Sequence, residues 1–204
     1  MPRPTLDFWF EFASTYSYPA AMRIGALAEA ASVELRWRPF LLGPIFKQQG
    51  WDTSPFNLYP AKGRYMWRDL VRICGALGLP FRPPDPFPQW SLLPARVTLV
   101  GLETDWGADF VRAVYQAEFG EGRQINDSSV VTDLLKSLRV DPQAALANAQ
   151  SDATKARLRD QIEEARRLGI FGAPTFITQD GELFWGNDRL EAALGWARAR
   201  SAKV

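Results

Sequence analysis

Thr5-Leu-Asp-Phe-Trp-Phe-Glu-Phe12, running into Ala13-Ser14-Thr15-Tyr16-Ser17-Tyr18, is the stretch on which the fold turns. Leu6, Phe8, Phe10 and Phe12 fall on one face, with Asp7 and Glu11 on the other, which is the period of a strand. Tyr18, Ala21, Met22, Leu27 and Ala28 then recur at helical spacing. Ser14 therefore stands where a strand turns into a helix N-terminus. Free N–H groups and the positive end of the helix dipole favour an anion there. A simpler role is open to Ser14, Thr15 and Ser17, since serine and threonine are favoured helix caps.

Working outward, Ser32-Val-Glu-Leu-Arg-Trp-Arg-Pro39 alternates Val33, Leu35 and Trp37 with charges and ends on proline, a second strand. Strand, helix and strand over 5–39 normally make a parallel pair with a right-handed crossover. Residues 40–61 read as loop, with Gly43-Pro44, Ser54-Pro55 and Pro60, and residues 62–78 as helix. Six prolines (80, 83, 84, 86, 88 and 94) make 80–94 an irregular linker, and 95–168 read as helices almost throughout, with Asp141-Pro142 a helix start. Thr175-Phe-Ile-Thr178, the turn Gln179-Asp-Gly181 and Glu182-Leu-Phe-Trp185 form a hairpin, and a last helix spans Arg189 to Arg200. The order is β-α-β, a long helical block, then β-β-α. Strands at both chain ends predict one α/β unit over 1–61 and 169–204, with residues 62–168 inserted as an all-helical domain.

Composition excludes several chemistries. The 204 residues include no histidine, so there is no histidine base, no Ser-His-Asp triad and no histidine-bound metal. A single cysteine, Cys74, allows neither an internal disulfide nor a Cys-x-x-Cys pair, and its helical surroundings, Leu70 to Leu77, read as a buried, inert thiol. The net charge of +1, from 24 basic and 23 acidic residues, points to no nucleic acid and no charged membrane surface. No signal peptide or membrane span is seen, so the expected location is cytoplasmic.

Two further places could carry chemistry. Gly169-Ile-Phe-Gly-Ala173-Pro174 reads as a glycine-capped helix end and a turn, with a cis Ala173–Pro174 bond as the sharper alternative. In Phe184-Trp185-Gly186-Asn187-Asp188-Arg189, Asn187 or Asp188 can cap the last helix. Alternatively, Asp188 meets a ligand ammonium while helix N–H groups meet its carboxylate. Lys47, Trp51, Asp52, Lys62 and Arg64 could line a pocket, whereas Trp90 and Trp106 read as packing residues.

Five ordered segments carry a resemblance: Phe8 to Tyr18, Pro60-Ala-Lys-Gly-Arg-Tyr-Met66, Phe119-Gly-Glu-Gly122, Phe171-Gly-Ala-Pro-Thr175 and Trp185-Gly-Asn-Asp-Arg189. Together they resemble the 2-hydroxychromene-2-carboxylate isomerases, relatives of kappa-class glutathione transferases in the DsbA-like thioredoxin superfamily. Thioredoxin-like redox proteins place Cys-x-x-Cys at the strand–helix junction, and this chain has Ser14-Thr-Tyr-Ser17 there. The resemblance implies a thioredoxin-like fold with a helical insertion and glutathione as cofactor. It implies that Ser14 hydrogen-bonds the glutathione sulfur, that Ala173 before a cis Pro174 pairs with its backbone, and that Trp185, Gly186, Asn187 and Asp188 hold its γ-glutamyl end. Lys47, Trp51, Asp52 and Trp90 are implied more loosely on the side of a small aromatic substrate. A homodimer is implied as well. Two positions depart from the pattern: Thr15 stands where members commonly have proline, and Asp52 where the loop often has asparagine. A kappa-like transferase or peroxidase, or a non-catalytic glutathione-binding protein, is the alternative reading.

Overall fold

The second half of the first strand, Phe8 to Phe10, is apolar on both faces because both are covered there. In the computed structural model, which describes residues 3–201, β1 spans Thr5–Phe10 at the centre of a four-stranded sheet of order β2-β1-β3-β4. The outer ends of the expected unit, residues 1–2 and 202–204, lie outside the described residues. Phe8 pairs in register with Trp37 of β2 (Glu34–Pro39) and with Phe176 of β3 (Thr175–Thr178). Its ring stacks on Phe176 at 5.5 Å and meets the edge of Trp37 at 5.3 Å. Truncating such a ring to alanine costs about 3–5 kcal/mol. Trp9, on the opposite face, is equally buried and meets Phe40 at 6.0 Å, within a second cluster that includes Leu158, Ile162 and Ala165.

The chain order matches the expected one. β1 leads through α1 (Ser17–Ala30) to β2, which is parallel to it, as the crossover rule requires. β3 returns antiparallel beside β1, and β4 (Leu183–Trp185) closes the hairpin through the turn at Gly181. Between β2 and β3 lie α2 (Leu42–Gln48), α3 (Pro55–Leu58), α4 (Pro60–Leu77), α5 (Leu92–Gly101), α6 (Gly107–Tyr115), a π-turn at Gln116–Gly120, α7 (Ser128–Ser137), α8 (Pro142–Ala149) and α9 (Asp152–Arg167). A 3₁₀ turn at Asn187–Arg189 then leads into α10 (Leu190–Ser201).

The stretch expected as loop over 40–61 contains two short helices, and α4 begins at Pro60. Ser54 accepts a hydrogen bond from the Phe56 N–H, and Pro55 and Pro60 occupy first helical positions, where the missing N–H costs nothing. The linker expected over 80–94 is shorter than that: 79–91 has no regular helix or strand, but α5 already begins at Leu92, with Pro94 in its first turn. No helix among the described residues is long and apolar enough to cross a membrane.

Candidate functional site

Between the end of β1 at Phe10 and the start of α1 at Ser17, Ser14 sits in a short turn rather than inside either element. Its N–H donates to the Glu11 carbonyl at 3.0 Å, and the Ser17 N–H donates to the Ser14 carbonyl at 3.1 Å. No side chain caps α1. The Ser14 hydroxyl instead donates to the Ala173 carbonyl at 2.8 Å, 159 residues away in sequence. The capping reading of Ser14 is thus replaced by a contact between the two ends of the chain. The Ala173–Pro174 bond is cis. Gly172, beside it, is obligatory for space, since a Cβ there would lie 2.5 Å from the Trp185 Nε1.

Around this contact opens a cleft of about 1700 Å³. Its lining divides by element into two groups, or walls: Ser14, Ala173, Trp185, Gly186, Asn187 and Asp188 stand at or near strand ends, and Lys47, Trp51, Asp52 and Trp90 stand on α2 and on loops. Pro174 is buried behind Ala173 and does not line it. The structure therefore brings all the expected site residues but Pro174 to one surface.

Their orientations differ. Asn187 is buried, and its side-chain oxygen accepts from the Arg23 guanidinium at 3.1 Å while its carbonyl accepts from the same nitrogen at 2.9 Å. Its side chain is thereby committed to α1 and does not cap α10. Gly186, at φ +112°, bends the chain so that the next N–H groups open the helix, and a Cβ there would lie 2.6 Å from Asp188 Oδ1. Among the described residues the Asn187 and Asp188 N–H groups have no hydrogen-bond acceptor, nor has the Ala173 N–H. Asp188 is exposed and lies 3.4 Å from Arg189.

On the other wall, Lys47 lies in the last turn of α2 and Trp51 packs on Phe46 at 5.7 Å. Trp106 packs against Phe110 at 5.9 Å, as expected of a core aromatic. Trp90 does not: it is 82% exposed at the cleft rim, and the packing reading of Trp90 is corrected. A tryptophan this open has no burial to explain it.

Cys74 is fully buried in α4, and burial pushes its thiol up to about 11, so it cannot serve as a nucleophile. Sequence reasoning missed Glu11. This acid is 4% exposed, lines the cleft and has its pKa raised to about 7, chiefly by burial. Hydrogen bonds from Ser91, Leu42, Ala13 and Phe12 pull the other way without cancelling the effect. The signal was there to read: an acid between Phe10 and Phe12, three residues before Ser14.

A sheet of this order, with a strand–turn–helix entry facing a cis proline, is matched by a family model described as the DSBA-like thioredoxin domain, over residues 5–195. The chain belongs to that family. This DSBA-like chain is 29% identical over 191 residues to a 2-hydroxychromene-2-carboxylate isomerase of Sphingobium xenophagum, covering 92% of this chain and 94% of the relative. It is 26% identical over 201 residues to a Glutathione s-transferase kappa 2 of Caenorhabditis elegans, covering 92% and 89%. A solved structure of a 2-hydroxychromene-2-carboxylate isomerase superposes with a TM-score of 0.85 at 28% identity, covering 98% of both chains. The DSBA-like domain here thus has serine in the turn from β1 to α1, and its single thiol is buried.

Proposed function

We propose that this chain is a glutathione-dependent isomerase that interconverts 2-hydroxychromene-2-carboxylate and hydroxybenzylidene pyruvate-type substrates. One observation carries the reading. The cleft is built around a serine hydroxyl and a cis-proline turn, while the single thiol of the chain is sealed elsewhere. Bound glutathione would supply the thiol that the cleft lacks.

The residues present fit that cofactor. Ser14 has one proton to donate, so on binding its hydroxyl leaves the Ala173 carbonyl for the sulfur and favours the charged form. The Ala173 N–H is free for a peptide carbonyl, and the Ala173 carbonyl, with two lone pairs, is released for a peptide N–H. The unpartnered N–H groups of Asn187 and Asp188 open a helix and suit the γ-glutamyl carboxylate, with the exposed Asp188 carboxylate available to its ammonium. The Asn187 side chain holds that helix start in place through Arg23. Trp185, half exposed against Gly172, gives the ligand an apolar wall. Lys47 offers charge to a substrate carboxylate, and Trp51, Asp52 and Trp90 offer a surface for a small aromatic ring. Relatives named as isomerases, at 29% identity over nearly the whole length, favour isomerisation.

The kappa-class relatives support a second reading, transfer of glutathione to another electrophile. The division into 1–61 with 169–204 and an inserted 62–168, a homodimer and a cytoplasmic setting are part of the same proposal. All four strands lie outside residues 62–168. The test is thermal: at about a hundredfold excess over Kd, glutathione should stabilise by about 2.7 kcal/mol, a rise of about 5–10 °C for a chain of this size. No shift at millimolar glutathione sinks the reading. Given a shift, turnover that leaves glutathione unconsumed identifies an isomerase, and depletion identifies a transferase.

A further inference from the structure

We propose that Glu11 is a positioning residue that sets the spacing between the two substrate-side segments of the cleft and the Ser14 turn. This rests on the functional reading above and deepens it. Two segments remote in sequence and the adjoining Ser14 turn converge on one buried carboxyl group. The Leu42 N–H, which opens α2, donates to Glu11 Oε2 at 2.7 Å. The Ser91 hydroxyl, at the start of α5, donates to Oε1. The Ala13 N–H, beside Ser14, approaches Oε1 at 3.5 Å. The Glu11 carbonyl adds a fourth tie, accepting from the Tyr115 hydroxyl at 2.8 Å as well as from the Ser14 N–H.

These ties reach the expected substrate contacts. α2 carries Lys47 and leads to Trp51 and Asp52, and Ser91 follows Trp90 directly. Neither helix has its own side-chain cap: Leu41 cannot supply one, and Ser91 spends its hydroxyl on Glu11 instead. Among the described residues no cation pairs with Glu11, and burying an unpaired acid is expensive. A role limited to filling space would be served at less cost by an apolar side chain.

The geometry also fixes what a substitution must preserve. The ionised carboxylate accepts from both Leu42 and Ser91. The protonated acid accepts from Leu42 through one oxygen and donates to the Ser91 oxygen through the other, so the spacing survives its titration. Glutamine can do the same, with its carbonyl toward Leu42 and its NH₂ toward Ser91. Alanine can do neither.

The experiment compares Glu11→Ala, Glu11→Gln and Ser91→Ala in the full chain by amide hydrogen exchange, by steady-state kinetics with the hydroxychromene carboxylate, and by the glutathione-induced thermal shift. Glu11→Ala should speed exchange at Leu42 about tenfold and raise substrate KM about tenfold, while kcat stays within about threefold and the glutathione shift is kept. Glu11→Gln should restore both values to within about twofold of the parent. Ser91→Ala, the milder change should Glu11→Ala not fold, should raise KM about threefold and leave Leu42 exchange unchanged. A Glu11→Gln protein whose kcat falls more than about tenfold while its KM and Leu42 exchange match the parent would show a role for the charge or the proton and overturn the proposal. A lowered melting temperature with KM and Leu42 exchange unchanged would also overturn it. If the parent shows no glutathione shift, the functional reading fails by itself, and Leu42 exchange still decides whether Glu11 pins α2.

Discussion

On one wall of the cleft, Ser14, Ala173 and Gly186 sit on backbone that leads directly into or out of the sheet. On the other, Lys47, Trp51, Asp52 and Trp90 sit on a short helix and on loops. The first wall is closed by contacts between chain ends, Ser14 to Ala173 and Arg23 to Asn187. The second is tied back to the sheet chiefly through Glu11. A wall fixed by the fold suits a constant ligand, and a wall made of loops suits one that differs between relatives. In the proposed function, cofactor recognition falls to the first wall and substrate choice to the second.

The largest expected effect lies on the fixed wall. Ser14→Ala should lower kcat/KM about a hundredfold or more, the usual scale for losing a donor to a reacting anion, while the melting temperature moves by less than about 3 °C. Equal losses of activity and stability would return Ser14 to a structural role. Next comes the tie between the walls. Glu11 has its pKa raised from 4.5 to about 7, so between those values the native state holds more protons than the unfolded chain. Stability then falls as pH rises through that window, by an amount on the order of 2–3 kcal/mol for this group. Glu11→Gln should show a correspondingly shallower decline of melting temperature from pH 4.5 to 7. Glu118, whose pKa is raised by burial and further by the Glu11 charge, is coupled to it, so the difference between the two proteins reports Glu11 together with its effect on Glu118. An unchanged slope would remove Glu11 as a titrating group.

Smaller effects separate the walls themselves. Asp188→Asn should weaken glutathione binding about tenfold, measured by calorimetry, as expected for one charge-assisted contact, with little change in substrate KM at saturating glutathione. Trp90→Ala should do the reverse, raising substrate KM about threefold through lost ring contact, with glutathione affinity unchanged. Because Trp90 is 82% exposed, its loss should leave the melting temperature within about 1 °C. Swapped outcomes for these two variants would break the assignment of the walls.

The fixed wall was the more legible in sequence, for a physical reason. Alternation over 5–12, the hairpin at 175–185 and glycine at the end of α9 are local signals, and local signals set where Ser14, Pro174 and Gly186 fall. Their meeting is not local, and nothing near Ser14 says that its hydroxyl reaches Ala173. α2 and α3 were hidden because Gly43-Pro44 and Ser54-Pro55 read as breakers, although proline is tolerated in the first turn of a helix. Glu11 was hidden by its own strand pattern. The face it shares with Asp7 looks polar in sequence, but Phe40 and α9 cover the Trp9 position on that face, and α9 comes from more than a hundred residues downstream. Trp90 failed in the opposite sense, since its apolar surface predicts burial and the proline-rich loop leaves it at the rim.

The sealed state of Cys74 has a consequence for durability. Peroxide reacts with thiolates that are exposed and acidic, and a thiol buried with a pKa near 11 is neither. A catalyst of this design keeps its vulnerable atom on a replaceable molecule. When that sulfur is overoxidised, the spent molecule diffuses out and a fresh one takes its place, so the polypeptide outlives many such accidents. In the proposed function, sensitivity to oxidative stress follows the supply of reduced glutathione, and not the age of the protein.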